Sequence, residues 1–130
     1  MAKKKKTIAI DFDGTIVEYK FPKIGRELPL AFHYMKEFQN KGASLILLTM
    51  RDYEDLEAAV EFCKERGVEF YAVNKNPSQK FWTASPKVYA NIYIDDHGIG
   101  IPLIYPEDGK PYVDWSKVGP MVLEKIEKEW

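Results

Sequence analysis

Thr7-Ile-Ala-Ile-Asp-Phe-Asp-Gly-Thr15 sets a short apolar, β-branched run directly against two carboxylates. Thr7 to Ile10 has the composition of a buried strand, and the run stops abruptly at Asp11. Asp13-Gly14 on its own is an ordinary turn pair. A turn does not explain Asp11, a carboxylate placed at the mouth of an apolar strand, where ionisation is costly unless a cation compensates it.

Downstream, similar strands alternate with helical patterns. Glu18 to Pro29 is punctuated by Pro22, Gly25 and Pro29 and reads as a loop or small flap. A helix follows, with Leu30, Tyr34 and Phe38 at helical spacing, Met35 beside them and Gly42 as its stop. Ala43 to Thr49 is a continuous apolar run, as expected of a central parallel strand covered on both faces. Asp52 is placed to cap a second helix, with Leu56, Ala59, Val60 and Cys63 on one stripe and Gly67 at its end. Val68 to Val73 reads as a third strand. Asn74 to Pro86 reads as loop with one helical turn, Asn91 to Ile94 as a fourth strand, and Gly98 to Asp114 as mostly irregular. A last helix begins near Ser116 to Pro120, with Val122, Ile126 and Trp130 inward.

This alternation predicts one α/β domain with a mostly parallel sheet. Right-handed crossovers place all strand C-termini on one edge, where open α/β sheets bind ligands. That edge collects Asp11 and Asp13 from the first strand, Thr49, Arg51 and Asp52 from the second, and Asp95 and Asp96 from the fourth. Converging carboxylates call for a hard cation, and magnesium fits because it takes few protein ligands.

Composition bounds the alternatives. The chain has 130 residues, 45% hydrophobic and 30% charged, the balance of an ordinary globular domain. A net charge of -1 gives no field favouring nucleic acid or membrane. One cysteine, Cys63, excludes an internal disulfide and suits a reducing, cytoplasmic setting. No signal peptide or membrane span is expected. The Lys3 to Lys6 run reads as a solvated lead-in to the first strand.

Four segments together resemble the haloacid dehalogenase superfamily of phosphotransferases. They are Asp-Phe-Asp-Gly-Thr at 11 to 15, Leu-Leu-Thr-Met-Arg at 47 to 51, Ser-Pro-Lys at 85 to 87, and Ile-Tyr-Ile-Asp-Asp at 92 to 96. Each is a modest signal alone; four in order, spanning Thr7 to about Gly98, are a strong one. The resemblance implies a three-layer Rossmann-like domain and a magnesium-dependent phosphomonoester hydrolase working through an aspartyl phosphate. It implies Asp11 as nucleophile and Asp13 as general acid and base. Magnesium would be held by Asp11, the Asp13 carbonyl and Asp95, with Asp96 a ligand or neighbour. Thr49 would bind a phosphoryl oxygen, and Lys87, with Lys80 as substitute, would neutralise its charge. Gly14 is expected to allow the sharp turn and Thr15 to fix it, both at the substrate. Arg51 has two readings, a helix-start ion pair or a contact to a second anionic group of the substrate. His97 is not expected as a metal ligand, since a hard oxygen site does not need imidazole. Trp82, Trp115 and Trp130 read as packing residues and Cys63 as core.

Neither interval between these segments has room for a separate cap domain, so a capless member with an open site is expected. The flap, through Phe21, Lys23 and Arg26, or a neighbouring copy in a homo-oligomer would cover it. The partner expected is a small phosphorylated metabolite. Two other readings compete: a non-catalytic phosphoacceptor like a response-regulator receiver, and a nucleic-acid end-processing phosphatase. The first places its acidic pair and acceptor in the opposite order, and near-neutral charge argues against the second.

Overall fold

The computed structural model describes residues 5–130, so the part of the lysine run within 1–4 lies outside the described residues. Lys5 and Lys6 are exposed, and the Lys6 carbonyl already accepts from Ser44 N–H as the sheet begins.

Four parallel strands form the sheet: β1 (Thr7–Ile10), β2 (Ser44–Leu47), β3 (Ala72–Val73) and β4 (Ile92–Ile94), in the order β3-β2-β1-β4. The register pairs Ile10 with Leu47 on one side and with Ile94 on the other, so the three strands end level. Between β1 and β2 runs α1 (Ala31–Asn40), and between β2 and β3 runs α2 (Tyr53–Glu65). Both crossovers move the chain in the same direction across the sheet. Right-handedness therefore puts both helices on one face. The return from β3 to β4 passes over β2 and β1, so it must cross the opposite face. It does so as a 3-10 helix (Pro77–Phe81) and loops, with Ala90 buried and Val88 half-buried against Ala9, Ile46 and Ala72. The fold is thus a three-layer Rossmann-like α/β domain whose third layer is thin, with no separate cap.

Strand alternation divides the core accordingly. Ile8, Ile10, Leu45, Leu47, Ile92 and Ile94 face the helical side with Phe12, Met35, Phe38 and Cys63. The other face carries small residues, Ala9 and Ala72, around Ile46. Cys63 is fully buried and its thiol is pushed up to about 12 by that burial, which makes it an inert core residue.

The region left irregular by sequence contains a short antiparallel pair, β5 (Leu103–Ile104) with β6 (Tyr112–Val113). It leads into α3 (Trp115–Glu129), which joins the helical side through Val118, Val122 and Ile126. Gly119 lets α3 press against α1, because a Cβ there would strike the Tyr34 ring. The third strand is shorter than expected, two residues rather than six, since only Ala72 and Val73 find ladder partners on β2. Among the described residues no helix is long and apolar enough to cross a membrane.

Of the tryptophans, only Trp115 is a core residue, at 1% exposure; Trp130 is half-buried, and Trp82 is exposed with its ring edge-on to Tyr89. The Trp115 indole N–H donates to the Thr15 carbonyl at 2.6 Å. Trp115→Phe keeps the apolar fill but leaves that buried carbonyl without its donor. A loss of about 1–3 kcal/mol in urea unfolding is expected; an unchanged midpoint would show that the bond contributes nothing.

Candidate active site

The strand order reverses between β1 and β4, and the crevice opens there. Asp11 N–H donates to the Ile94 carbonyl at 3.0 Å, carrying the β1–β4 ladder one step past the strands. Beyond that point alternation governs. Phe12 turns into the core, edge-on to Phe62, so Asp11 and Asp13 both turn toward the crevice. Asp95 and Asp96 arrive from β4 beside them. These four residues line a cavity of about 270 Å³ with Thr49, Arg51, His97, Tyr19, Phe21 and Met50.

The loop after Asp11 is tied from several sides. Gly14 N–H donates to Val17 O, and the N–H groups of Thr15, Ile16 and Val17 all converge on Phe12 O. Gly14 has φ +82 and lies against the Asp96 carboxylate, where a Cβ would collide. Glycine is thus required twice at this position, for conformation and for clearance. Thr15 is fully buried. Its hydroxyl donates to Asp11 Oδ2 at 3.3 Å and accepts from Asp96 N–H at 3.1 Å, so one side chain spans both acidic segments. Val113 N–H donates to Gly14 O, and Trp115 holds Thr15 O, so β6 and α3 buttress the loop from behind. Gly14 and Thr15 therefore stand behind the carboxylates rather than on the cavity wall, a correction to their expected place at the substrate.

Crowding governs the electrostatics. Burial first, then the hydrogen bond that protonated Asp11 donates to Asp96 and the negative charge of Asp95, pushes the Asp11 carboxyl up to about 8. Burial also raises Asp96. His97 is exposed, with Nε2 3.8 Å from Asp96 Oδ2, and ligand atoms of Asp95, Asp96 and His97 lie within 4.8 Å of one another. Three carboxyls that repel one another, open to solvent on one side, form a donor set suited to a hard divalent cation. The Asp13–Val17 bridge uses the carbonyls of Phe12 and Val17, so the Asp13 carbonyl takes no part in it.

Two expected residues find other surroundings. Arg51 is buried, and its donors are all engaged: Nε and Nη2 to the two oxygens of Asp13 at 2.8 Å each, Nη1 to Pro22 O and Asp55 O, Nη2 also to Lys23 O. With no donor free, it does not serve as a second anion contact; it is an ion pair, with Asp13 rather than with a residue of the α2 start. Lys87 is exposed and is not among the residues lining the Asp11 cavity. Gln79 fixes its segment by donating to the carbonyls of Ser85 and Lys87. Lys80 lines a separate cavity of about 530 Å³ together with Lys75. That cavity is larger, but its lining holds no carboxylate; the four carboxylates line the smaller one. Among the described residues no lysine lines the Asp11 cavity.

Thr49 is held by Asn74, whose amide accepts from Thr49 N–H at 2.8 Å and donates to Thr49 O at 3.0 Å. The Thr49 hydroxyl accepts from Arg51 N–H at 3.1 Å, which leaves its own proton for a ligand. Asn74 and Trp115 went unforeseen. Asn74 had a signal, its place just after the third strand at the same sheet edge. Trp115 had none, since nothing local marks a contact with Thr15.

The raised Asp11 carboxyl has a consequence for stability. Between its ordinary value of 3.8 and about 8, the folded protein holds a proton that the unfolded chain has released. That stabilisation is complete below the lower value and is lost as pH rises through the upper one. In chelator, Asp11→Asn should therefore be more stable than wild type at pH 8, by on the order of 5 kcal/mol, with the difference closing as pH falls toward the ordinary value of 3.8. Thermal unfolding across that range tests it, and parallel curves for the two proteins would contradict it.

No protein-family model and no curated protein sequence matches the chain. A solved structure, that of a conserved protein from Bacteroides thetaiotaomicron, is similar to it with a TM-score of 0.76. The similarity covers 94% of this chain and 93% of that one. At 41% sequence identity over that span, the chain belongs to the same family as this conserved Bacteroides protein.

Proposed function

We propose that the protein is a magnesium-dependent phosphohydrolase of the haloacid dehalogenase type, acting on small phosphomonoesters through an aspartyl phosphate on Asp11. The observation that carries this reading is the convergence of Asp11, Asp13, Asp95 and Asp96 on one cavity at the strand-order reversal. A parallel sheet has no structural need for four carboxylates there, and burial penalises Asp11 and Asp96 among them.

Asp11, Asp95 and the Asp13 carbonyl, with Asp96 as neighbour or further ligand, would hold the cation. Bound magnesium would supply positive charge that returns Asp11 to its ionised form and neutralises the phosphoryl oxygens. Asp11 then attacks phosphorus, and the bond to the leaving oxygen breaks as Asp13 gives that oxygen a proton. In the second half, Asp13 takes a proton from water as the water attacks the phosphoryl group on Asp11. Inorganic phosphate leaves and Asp11 is restored. Thr49 donates its free hydroxyl proton to a phosphoryl oxygen. With no lysine among the described residues on the cavity wall, charge neutralisation rests on the cation more heavily than the family resemblance implied.

The open crevice suits a small metabolite reaching in past the flap. Near-neutral charge gives no support to a nucleic-acid substrate, and a single buried cysteine suits the cytoplasm.

With magnesium, wild type should hydrolyse an aryl phosphate. Asp11→Asn should lose at least about a thousandfold in kcat while keeping its circular dichroism. Equal rates for the two proteins would refute the assignment. Magnesium should also raise the melting temperature of wild type at pH 8, and do so less for Asp11→Asn.

A further inference from the structure

We propose that Arg51 is a positioning residue that couples the flap to Asp13, so that protonation of the leaving group depends on the flap being seated. This rests on the reading of Asp13 as general acid. One guanidinium grips both oxygens of Asp13 and, on its far side, the carbonyls of Pro22 at 3.1 Å and Lys23 at 2.9 Å. Its Cζ stands over two rings, 5.0 Å from the centre of Phe12 and 5.2 Å from that of Phe21. Phe12 belongs to the fixed core beneath the nucleophile, whereas Phe21 belongs to the flap. The Arg51 side chain is 1% exposed, so the flap in this position seals it from water.

The flap is a hairpin-like excursion. Glu18 N–H donates to Arg26 O and Leu28 N–H to Ile16 O, which tie its base, while Arg51 holds its tip. Tyr19 and Phe21 line the cavity across from Asp11. A leaving group in the crevice therefore meets these rings and Asp13 together, and Arg51 fixes the spacing between them. Each Asp13 oxygen, bound once by Arg51, keeps a lone pair that can carry the proton given to the leaving oxygen. Lysine cannot replace this arrangement: it offers a compact charge where a planar fork must reach a carboxylate and two carbonyls at once.

Arg51→Lys, with Phe21→Ala as a milder variant, separates coupling from mere structural support. Two substrates are compared: an aryl phosphate, whose leaving group needs no proton, and an alkyl phosphate, whose leaving group does. Arg51→Lys should lower kcat on the alkyl ester by about a hundredfold and on the aryl ester by less than about fivefold. Phe21→Ala should move the same way by a smaller factor. An equal loss on both esters, or none on either, overturns the coupling. Asp13→Asn is run alongside. If its loss does not discriminate between the esters, the general-acid reading fails; if it discriminates and Arg51→Lys does not, the role of Arg51 fails. Trypsin gives a readout independent of turnover, because the Lys23–Ile24 bond carries one of the gripped carbonyls. Cleavage there should accelerate at least about tenfold in Arg51→Lys, and an unchanged rate overturns the anchoring of the flap. Should Arg51→Lys fail to fold, Phe21→Ala carries both measurements.

Discussion

Repulsion between carboxylates is the constraint around which this molecule is organised. Asp11 and Asp96 come from neighbouring parallel strands that end level, and burial raises both. Left to themselves, such groups would move apart or draw in water. They are kept together by a single hydroxyl, that of Thr15, and by a glycine whose missing side chain makes room for the second carboxyl. Thr15 is in turn fixed by α3, and Gly14 by β6. The C-terminal third of the chain thus bears on chemistry encoded near the N-terminus.

Topology makes this possible. Two crossovers in one direction and one return create a single switch point, and each acidic pair follows one of the strands flanking it. The same return leaves the second face of the sheet with only a thin cover. That face is lined by Ala9 and Ala72, which suit a loop lying close rather than a helix. The described lysines of that layer are not among the residues lining the acidic crevice. A charge arrangement that the family resemblance led one to expect is therefore absent from the cavity wall, and Asp13 has Arg51 beside it instead.

Much of this was legible in the sequence because local rules and the fold agree. Thr7 to Ile10 forms the strand its composition indicates, Gly42 and Gly67 follow the helices they stop, and Asp11, Asp13, Thr49, Asp95 and Asp96 come together at one sheet edge. What was not legible depends on long-range contacts. Lys87 follows Ser-Pro as expected, but Gln79 decides where that segment lies. Arg51 follows a strand in the place of a ligand contact, yet its partners Pro22 and Lys23 lie in a loop with no periodicity to place it. The pairing of Leu103 with Val113 was hidden because two-residue strands leave no pattern.

The bond from Trp115 to Thr15 also gives the protein an optical property. The indole is buried and donates its one N–H to a carbonyl whose own residue hydrogen-bonds the Asp11 carboxyl. Of the three tryptophans, it alone sits in the core at this distance from solvent. A shielded, hydrogen-bonded indole of this kind is expected to emit at a different wavelength from exposed Trp82. A spectroscopist therefore has a native reporter wired to the crevice, with no label attached and no residue of the cavity wall disturbed.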